Sequence, residues 1–273
     1  MNETLEKAIK SGLSGAGAMT VQVGTLMWLR TIMNYQYRHG GTISTTVKTL
    51  YGDGGIARFY KGVGPALFQG PLSRFGDTFS NTFALSVCET HLSGLPVFVQ
   101  TGFASVTAGL FRIALMPIDT VKTSMQVEGN FTNLKKRLAT NGPKVLYNGS
   151  IATSSATMIG HYPWFMTYNT LNAYIPRYDK SEVLNNMLRN AFIGFNASIM
   201  SDTISNSFRI VKTTKQSHSN PTISYKKIVE EIVAKDGYQG LFGRGLKIRL
   251  FTNGIQGIIF SVMWKYLDSG GSR

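Results

Sequence analysis

Cysteine is almost absent. Cys88 stands alone among 273 residues, so no disulfide can close within the chain. No His, Cys, Asp and Glu grouping has metal-ligand spacing, and no glycine-rich loop ends in a phosphate-gripping lysine. No Ser-His-Asp arrangement is discernible either. The chain is therefore not read as an enzyme, and no metal or cofactor is expected. The start, Met1-Asn2-Glu3-Thr4-Leu5-Glu6-Lys7, lacks a secretory h-region and the arginines of a transit peptide. Any targeting information is expected to be internal. Acidic residues are scarce: 14 Asp and Glu against 28 Lys and Arg, a net charge of +14. Charge of either sign is missing from residues 11–29, 90–111, 145–176 and 250–264. A membrane helix needs roughly 20 mostly apolar residues, and the first three gaps are of that order. Shorter gaps surround residues 64–73 and 190–201. Ser, Thr, Gly and Asn interrupt these runs, as suits helices with one face on lipid and another on water or a neighbouring helix.

What is present is a charge asymmetry. Of the 28 Lys and Arg, 19 fall in three stretches, 30–61, 122–144 and 209–249. Each stretch links one hydrophobic segment to the next, and short basic loops mark the side that is not translocated. The connections at 88–96 and 174–183 are shorter and nearly charge-balanced. This predicts basic links on one side of a membrane, with both termini opposite. Binding of nucleic acid would need the bases on one soluble face with aromatic stacking partners. That pattern is not seen, so no nucleic-acid partner is expected.

The chain also repeats itself. Aligning a basic residue puts Arg30, Lys122 and Lys212 in register, 92 and 90 residues apart. Downstream of each comes a second element: Phe59-Tyr60-Lys61-Gly62, Leu146-Tyr147-Asn148-Gly149 and Leu241-Phe242-Gly243-Arg244-Gly245. A unit of one third of the chain is too long for a solenoid and fits a pseudo-threefold membrane bundle. Each third reads as long helix, basic link, long helix. Short amphipathic surface helices are expected near residues 42–50, 133–138 and 224–234. Gly40-Gly41 should end the first long helix. Pro71 and Pro163 should kink or locally open two even-numbered spans.

These repeats resemble the mitochondrial carrier family. Its signature is Pro-x-Asp/Glu-x-x-Lys/Arg, a basic link, then an acid, Gly, four residues, an aromatic, a base and Gly. Pro117, Asp119 and Lys122 carry the first half intact, and Asp236-Gly237 with Phe242 carries part of the second. The resemblance covers essentially the whole chain. It implies an all-α membrane protein: a six-transmembrane-helix pseudo-threefold bundle with three short matrix-side helices. It implies one carrier domain over residues 1–273, with repeats of about 1–93, 94–182 and 183–273. It further implies a multi-pass monomer of the mitochondrial inner membrane, touching anionic lipids such as cardiolipin and binding a small-molecule metabolite.

The departures from the family pattern are specific. In the family, the signature acid of one repeat pairs with the base of the next. Here the acid positions hold Met27, Asp119 and Arg209, against Arg30, Lys122 and Lys212. Only Asp119 with Lys212 is expected to bridge, braced by Gln126 or Gln216, with Asn34 at that place in the first repeat. Arg209 opposite Arg30 would repel. On the even helices the usual acids are replaced by Thr82, Asn169 and Lys265, and the usual bases by Leu85, Asn172 and Asp268. Thr25 and Ser207 replace the signature proline, which leaves only the weaker bending of a back-bonded hydroxyl.

The resemblance places substrate contacts at Thr20, Gln69, Arg112, Thr157, Asp202 and Asn253. Arg112 and Asp202 also stand out physically, since lone charges in apolar segments usually face a cavity. They either contact substrate or pair with each other. Arg74 and Asp77 form an i, i+3 pair with a structural role at least as plausible. The mixed set weakly favours a small zwitterion, without excluding a nucleotide. Two functions remain open: a solute transporter working by alternating access, and a carrier-like membrane scaffold. The retained interior polar residues favour the first.

Overall fold

The computed structural model describes residues 22–91, 97–179 and 181–270. Thr20 lies outside them, and the side chains of Arg74, Thr82, Leu85, Lys265 and Asp268 are likewise outside the description. Among the described residues the chain is helical, without strands. α1 (residues 22–39), α2 (Ile43–Phe59) and α3 (Val63–His91) form the first third. α4 (Val97–Ala114), α5 (Met116–Glu128), α6 (Thr132–Asn141), a 3-10 turn (Pro143–Tyr147) and α7 (Ser150–Tyr174) form the second. α8 (Val183–Gln216), α9 (Tyr225–Gly243) and α10 (Leu246–Gly270) form the third.

The expected surface helices appear as α2, α6 and α9, each longer than the pattern suggested. Thr42 caps α2 through a reciprocal box with Thr45, and the Ser224 hydroxyl accepts from Lys227 N at 3.2 Å to cap α9. Gly54, Gly55 and Gly237 put non-helical kinks into α2 and α9, so each covers more chain than its amphipathic half. Gly40 and Gly41 end α1 in the left-handed region, with φ of 76° and 88°.

The long helices form a ring. α3 packs on α4, α4 on α7, α7 on α8 and α8 on α10. α1 closes it: Val23 and Met27 meet Ala66 of α3, while Leu26, Leu29 and Ile32 cluster with Ile248 of α10. The ring is apolar outside and polar inside. Phe103, Val106 and Leu110 on α4 are exposed at helical spacing, as are Leu184, Leu188 and Phe192 on α8. Asp119, Thr123, Gln126, Asp202, Ser205 and Asn206 are buried. A soluble core has the reverse arrangement, and exposed apolar stripes of this kind need lipid or a partner to cover them.

The same distribution explains a property of the spans. Among the described residues no single helix is long and apolar enough to cross a membrane. One bent pair, Gly102–Ala114 with Met116–Glu128, reaches that length and composition together. On α8, for example, the buried Asp202, Ser205 and Asn206 lower the hydropathy once all faces are averaged.

Proline decides where the odd helices bend. The α4–α5 pair turns by 66° at the residues preceding Pro117. α8, with Ser207 in that place, runs unbroken for 34 residues. Its back-bonds near that place come from Thr203 and Ser205, which donate to the carbonyls of Ile199 and Ser201 at 2.7 and 2.8 Å. Pro71 and Pro163 leave α3 and α7 as single helices.

Candidate functional site

The three repeat glycines set the geometry at the link end of the bundle. Gly62, Gly149 and Gly245 all have positive φ, 86°, 85° and 66°. A Cβ on Gly62 would sit 3.0 Å from the Lys122 carbonyl, and one on Gly149 would sit 3.1 Å from that of Lys212. Each of these turns therefore lets an even helix start directly against the odd helix of the next repeat. Within each repeat, an odd-helix side chain donates to the carbonyl three residues before that glycine. The bonds are Thr31 to Phe59 (2.7 Å), Thr120 to Leu146 (2.7 Å) and Asn206 to Phe242 (2.7 Å).

Three buried arginines then close the ring at this end. Arg58 pairs with Asp53 at 2.6 Å and donates to the carbonyls of Gln126 and Val127, both at 2.9 Å. Arg137 pairs with Glu128 at 3.1 Å and donates to the His218 carbonyl at 2.7 Å. Arg244 pairs with Asp236 at 2.6 Å and reaches the Arg38 carbonyl at 3.4 Å. Each thus satisfies orphan carbonyls at the C-terminal end of the odd helix of the following repeat. The sequence reading missed all three as a set, because they occupy different offsets from the repeat glycine.

Asp119 is the centre of the first charged cluster. It is 4% exposed. Lys212 meets its Oδ2 at 2.5 Å, and Lys122 its Oδ1 at 2.9 Å. Gln216 Nε2 donates to Asp119 Oδ2 and Thr120 Oγ1, both at 3.0 Å. The structure therefore brings together four of the seven residues named for the gate: Asp119, Lys122, Lys212 and Gln216. Gln126 belongs to a separate contact. It accepts from Asn34 Nδ2 at 2.6 Å and points its own amide at Met27 Sδ, 3.4 Å away. Thus where the first repeat lacks its acid, a neutral amide–thioether junction fills the place. Lys122, without an acid on α1 to meet, turns back to its own repeat and also donates to Gln69 Oε1 at 2.9 Å.

Asp202 is the centre of the second cluster. Arg249 Nε lies 2.7 Å from Asp202 Oδ1, and Arg209 lies 3.8 Å from the same oxygen. Asn253 Nδ2 donates to Oδ2. Arg209 Nε also donates to Ser205 Oγ at 3.3 Å. Arg30 sits half-buried on α1. Arg112 belongs elsewhere: it holds Asp77 of α3 through two hydrogen bonds, at 2.6 and 3.2 Å. Arg112 and Asp202 thus do not form the pair considered from sequence, and Asp77 bonds across helices to Arg112, while the expected Arg74 side of its pair lies outside the description. Thr157 donates to the Thr153 carbonyl at 3.1 Å, on its own helix.

Arg249 was missed. It lies four residues past Gly245 and was counted with the basic link, although it is inside α10. The signal available was its place at the edge of a charge-free run. Arg189 was missed too. It is buried at the end of the bundle away from the surface helices, and donates to Asn172 Oδ1 at 3.0 Å and to the Asn172 carbonyl at 2.9 Å. Asn172, which stands where the family places a base, is therefore used as an acceptor.

The model of the mitochondrial carrier protein family matches residues 96–179 and 184–269. A protein of Dictyostelium discoideum described as mitochondrial substrate carrier family protein E is 28% identical over 189 residues. The match covers 62% of this chain and spans 61% of the length of that relative. The two family matches fall on the second and third sequence repeats and take in more than half of the chain. On that ground, and with an all-helical ring built from recurring odd–even helix contacts, the chain belongs to the mitochondrial carrier family.

Proposed function

We propose that this protein carries a small polar or charged metabolite across the mitochondrial inner membrane by alternating access at a central site, and is not an enzyme. The chain acts as a single multi-pass domain of three repeats, 1–93, 94–182 and 183–273, monomeric and in contact with anionic lipid. Solute enters from the end away from the surface helices. Gln69, Arg112, Thr157, Asp202 and Asn253, with Thr20 outside the described residues, contribute to the substrate path. Asp119, Lys122, Lys212 and Gln216 form the closed gate beneath it. Gln126 seals the first junction, and Arg30 and Arg209 flank the third.

The observation that carries this reading is the stacking of two charged clusters on α8. Asp202 and Lys212 are ten residues apart on one continuous helix, about 15 Å along its axis. One cluster ties α8 to α5 and the other ties it to α10. Intramembrane charges at two depths of a ring interior suit a site with a gate below it. A pure scaffold has no use for them. The test is uptake of labelled metabolites into liposomes containing the purified protein. Time-dependent uptake that saturates with substrate supports the reading. A folded, inserted protein that moves no solute would instead be the carrier-like scaffold.

A further inference from the structure

We propose that the central site binds an anion, and that Arg249 together with Arg209 forms the cationic fork that receives it. This rests on the transporter reading and narrows it to a substrate class. In the three interior clusters, Asp77 has Arg112, Asp119 has Lys122 and Lys212, and Asp202 has Arg209 and Arg249. Among the described residues, five cations thus share three carboxylates in these clusters. Taking a charge out of water costs several kcal/mol per ion, and one carboxylate balances the charge of only one cation. An anion entering the interior removes the excess.

Geometry then selects the Asp202 cluster over the Asp119 cluster. Asp119 holds its two lysines at 2.5 and 2.9 Å, and Gln216 completes the shell. At Asp202 only Arg249 is close, and Arg209 stands off at 3.8 Å. The Asp202 side chain is 5% exposed, while those of Arg209 and Arg249 are 28% and 18% exposed. A ligand approaching this cluster therefore meets the two arginine side chains before the carboxylate. Asn253 occupies the other oxygen of Asp202, which leaves little of it for an incoming ammonium group. This argues against the zwitterion that the mixed contact set weakly favoured, whose ammonium would need that carboxylate. A planar guanidinium matches the paired oxygens of a carboxylate or phosphate. Asp202 thereby has a positioning role: it orients the fork without touching the ligand.

The test uses the full-length chain, purified at fixed lipid content, with two readouts. Thermal unfolding is followed with added inorganic phosphate, succinate or AMP as anions, alanine or serine as zwitterions, and lysine as a cation. Uptake of the same labelled compounds into liposomes is measured in parallel. At least one anion should raise the unfolding temperature, and zwitterions and lysine should not. Arg249→Gln and Arg209→Gln should each weaken that anion's apparent affinity by roughly 10- to 100-fold, the loss of one charge-assisted contact. Asp202→Asn removes a negative charge while keeping the shape, and should bind the anion at least as tightly as the parent.

Stabilisation by alanine, serine or lysine alone, abolished by Asp202→Asn, would overturn the proposal. So would an Asp202→Asn variant that loses anion affinity as fully as Arg249→Gln, or the absence of any anion effect. If Arg249→Gln does not fold, the double variant Asp202→Asn/Arg249→Gln removes the unpaired acid and must still show the weakened anion affinity. An anion-induced shift without uptake keeps the anion site and removes the transport reading. Uptake of a zwitterion that no anion inhibits does the opposite.

Discussion

At the scale of single residues, the interior is governed by shared partners. Asp119 accepts from two lysines, so its pairs are not independent. We expect Asp119→Lys and Lys212→Asp each to lower the unfolding temperature, and the charge-swapped double variant to recover only part of it. The remainder is repulsion from Lys122, three residues on, and adding Lys122→Gln should recover more. The 119–212 coupling should fall at about 0.5–3 kcal/mol in a double-mutant cycle; a value of zero would detach Lys212 from the cluster. A second cycle separates the arginines. Arg112→Ala and Asp77→Ala should each destabilise, and the double variant should be more stable than either single one, because neither charge is then left alone. Arg112→Ala with Asp202→Ala should be additive within about 0.5 kcal/mol. Strong coupling there and none to Asp77 would reverse the pairing described.

At the scale of elements, turns and helix ends hold the repeats together. Gly149→Ala should cost at least about 1–2 kcal/mol for the left-handed conformation alone. Its Cβ would also press on Lys212, which lies 3.1 Å away at the carbonyl, so the 119–212 coupling should shrink in the same variant. Gly194, within α8 and with open space around its Cα, is the contrast: Gly194→Ala should stabilise by about 0.5–1 kcal/mol, from helix propensity. Arg58→Gln should leave the carbonyls of Gln126 and Val127 short of donors, at about 1–3 kcal/mol for each buried group. Thermal unfolding of the purified variants measures all three. An Arg58→Gln protein as stable as its parent would show that water replaces the guanidinium there.

At the scale of the whole molecule, the ring is apolar on its outer face, polar within and basic at one end. Short basic connections stay on the side that is not translocated. Lys136, exposed on α6, should therefore be labelled by a membrane-impermeant amine reagent from the side opposite the N-terminus. Labelling of both from one face would end the six-span arrangement. The asymmetry was legible before any coordinates, because it needs only the order of charges along the chain. So was the class of fold: the glycine motifs and the register of Arg30, Lys122 and Lys212 recur at a period of one third. The bridge from Asp119 to Lys212 followed from the family resemblance as an expected contact, and the two side chains do meet.

Partners that depend on which way a side chain turns were not legible. Lys122 folds back to Asp119 and Gln69 because Met27 offers it no carboxylate. Arg112 takes Asp77 across α3 and α4, although its register matched Asp202. Arg249 reads as part of a basic link until α10 is seen to carry it beside Asp202. Linear order constrains period, amphipathicity and the positions of proline and glycine, because each acts through bonds to near neighbours. Ion pairs between different helices inside the ring join residues 35 to 93 positions apart. Which acid a given base meets is set by how the long helices cross one another, and only the folded ring decides that.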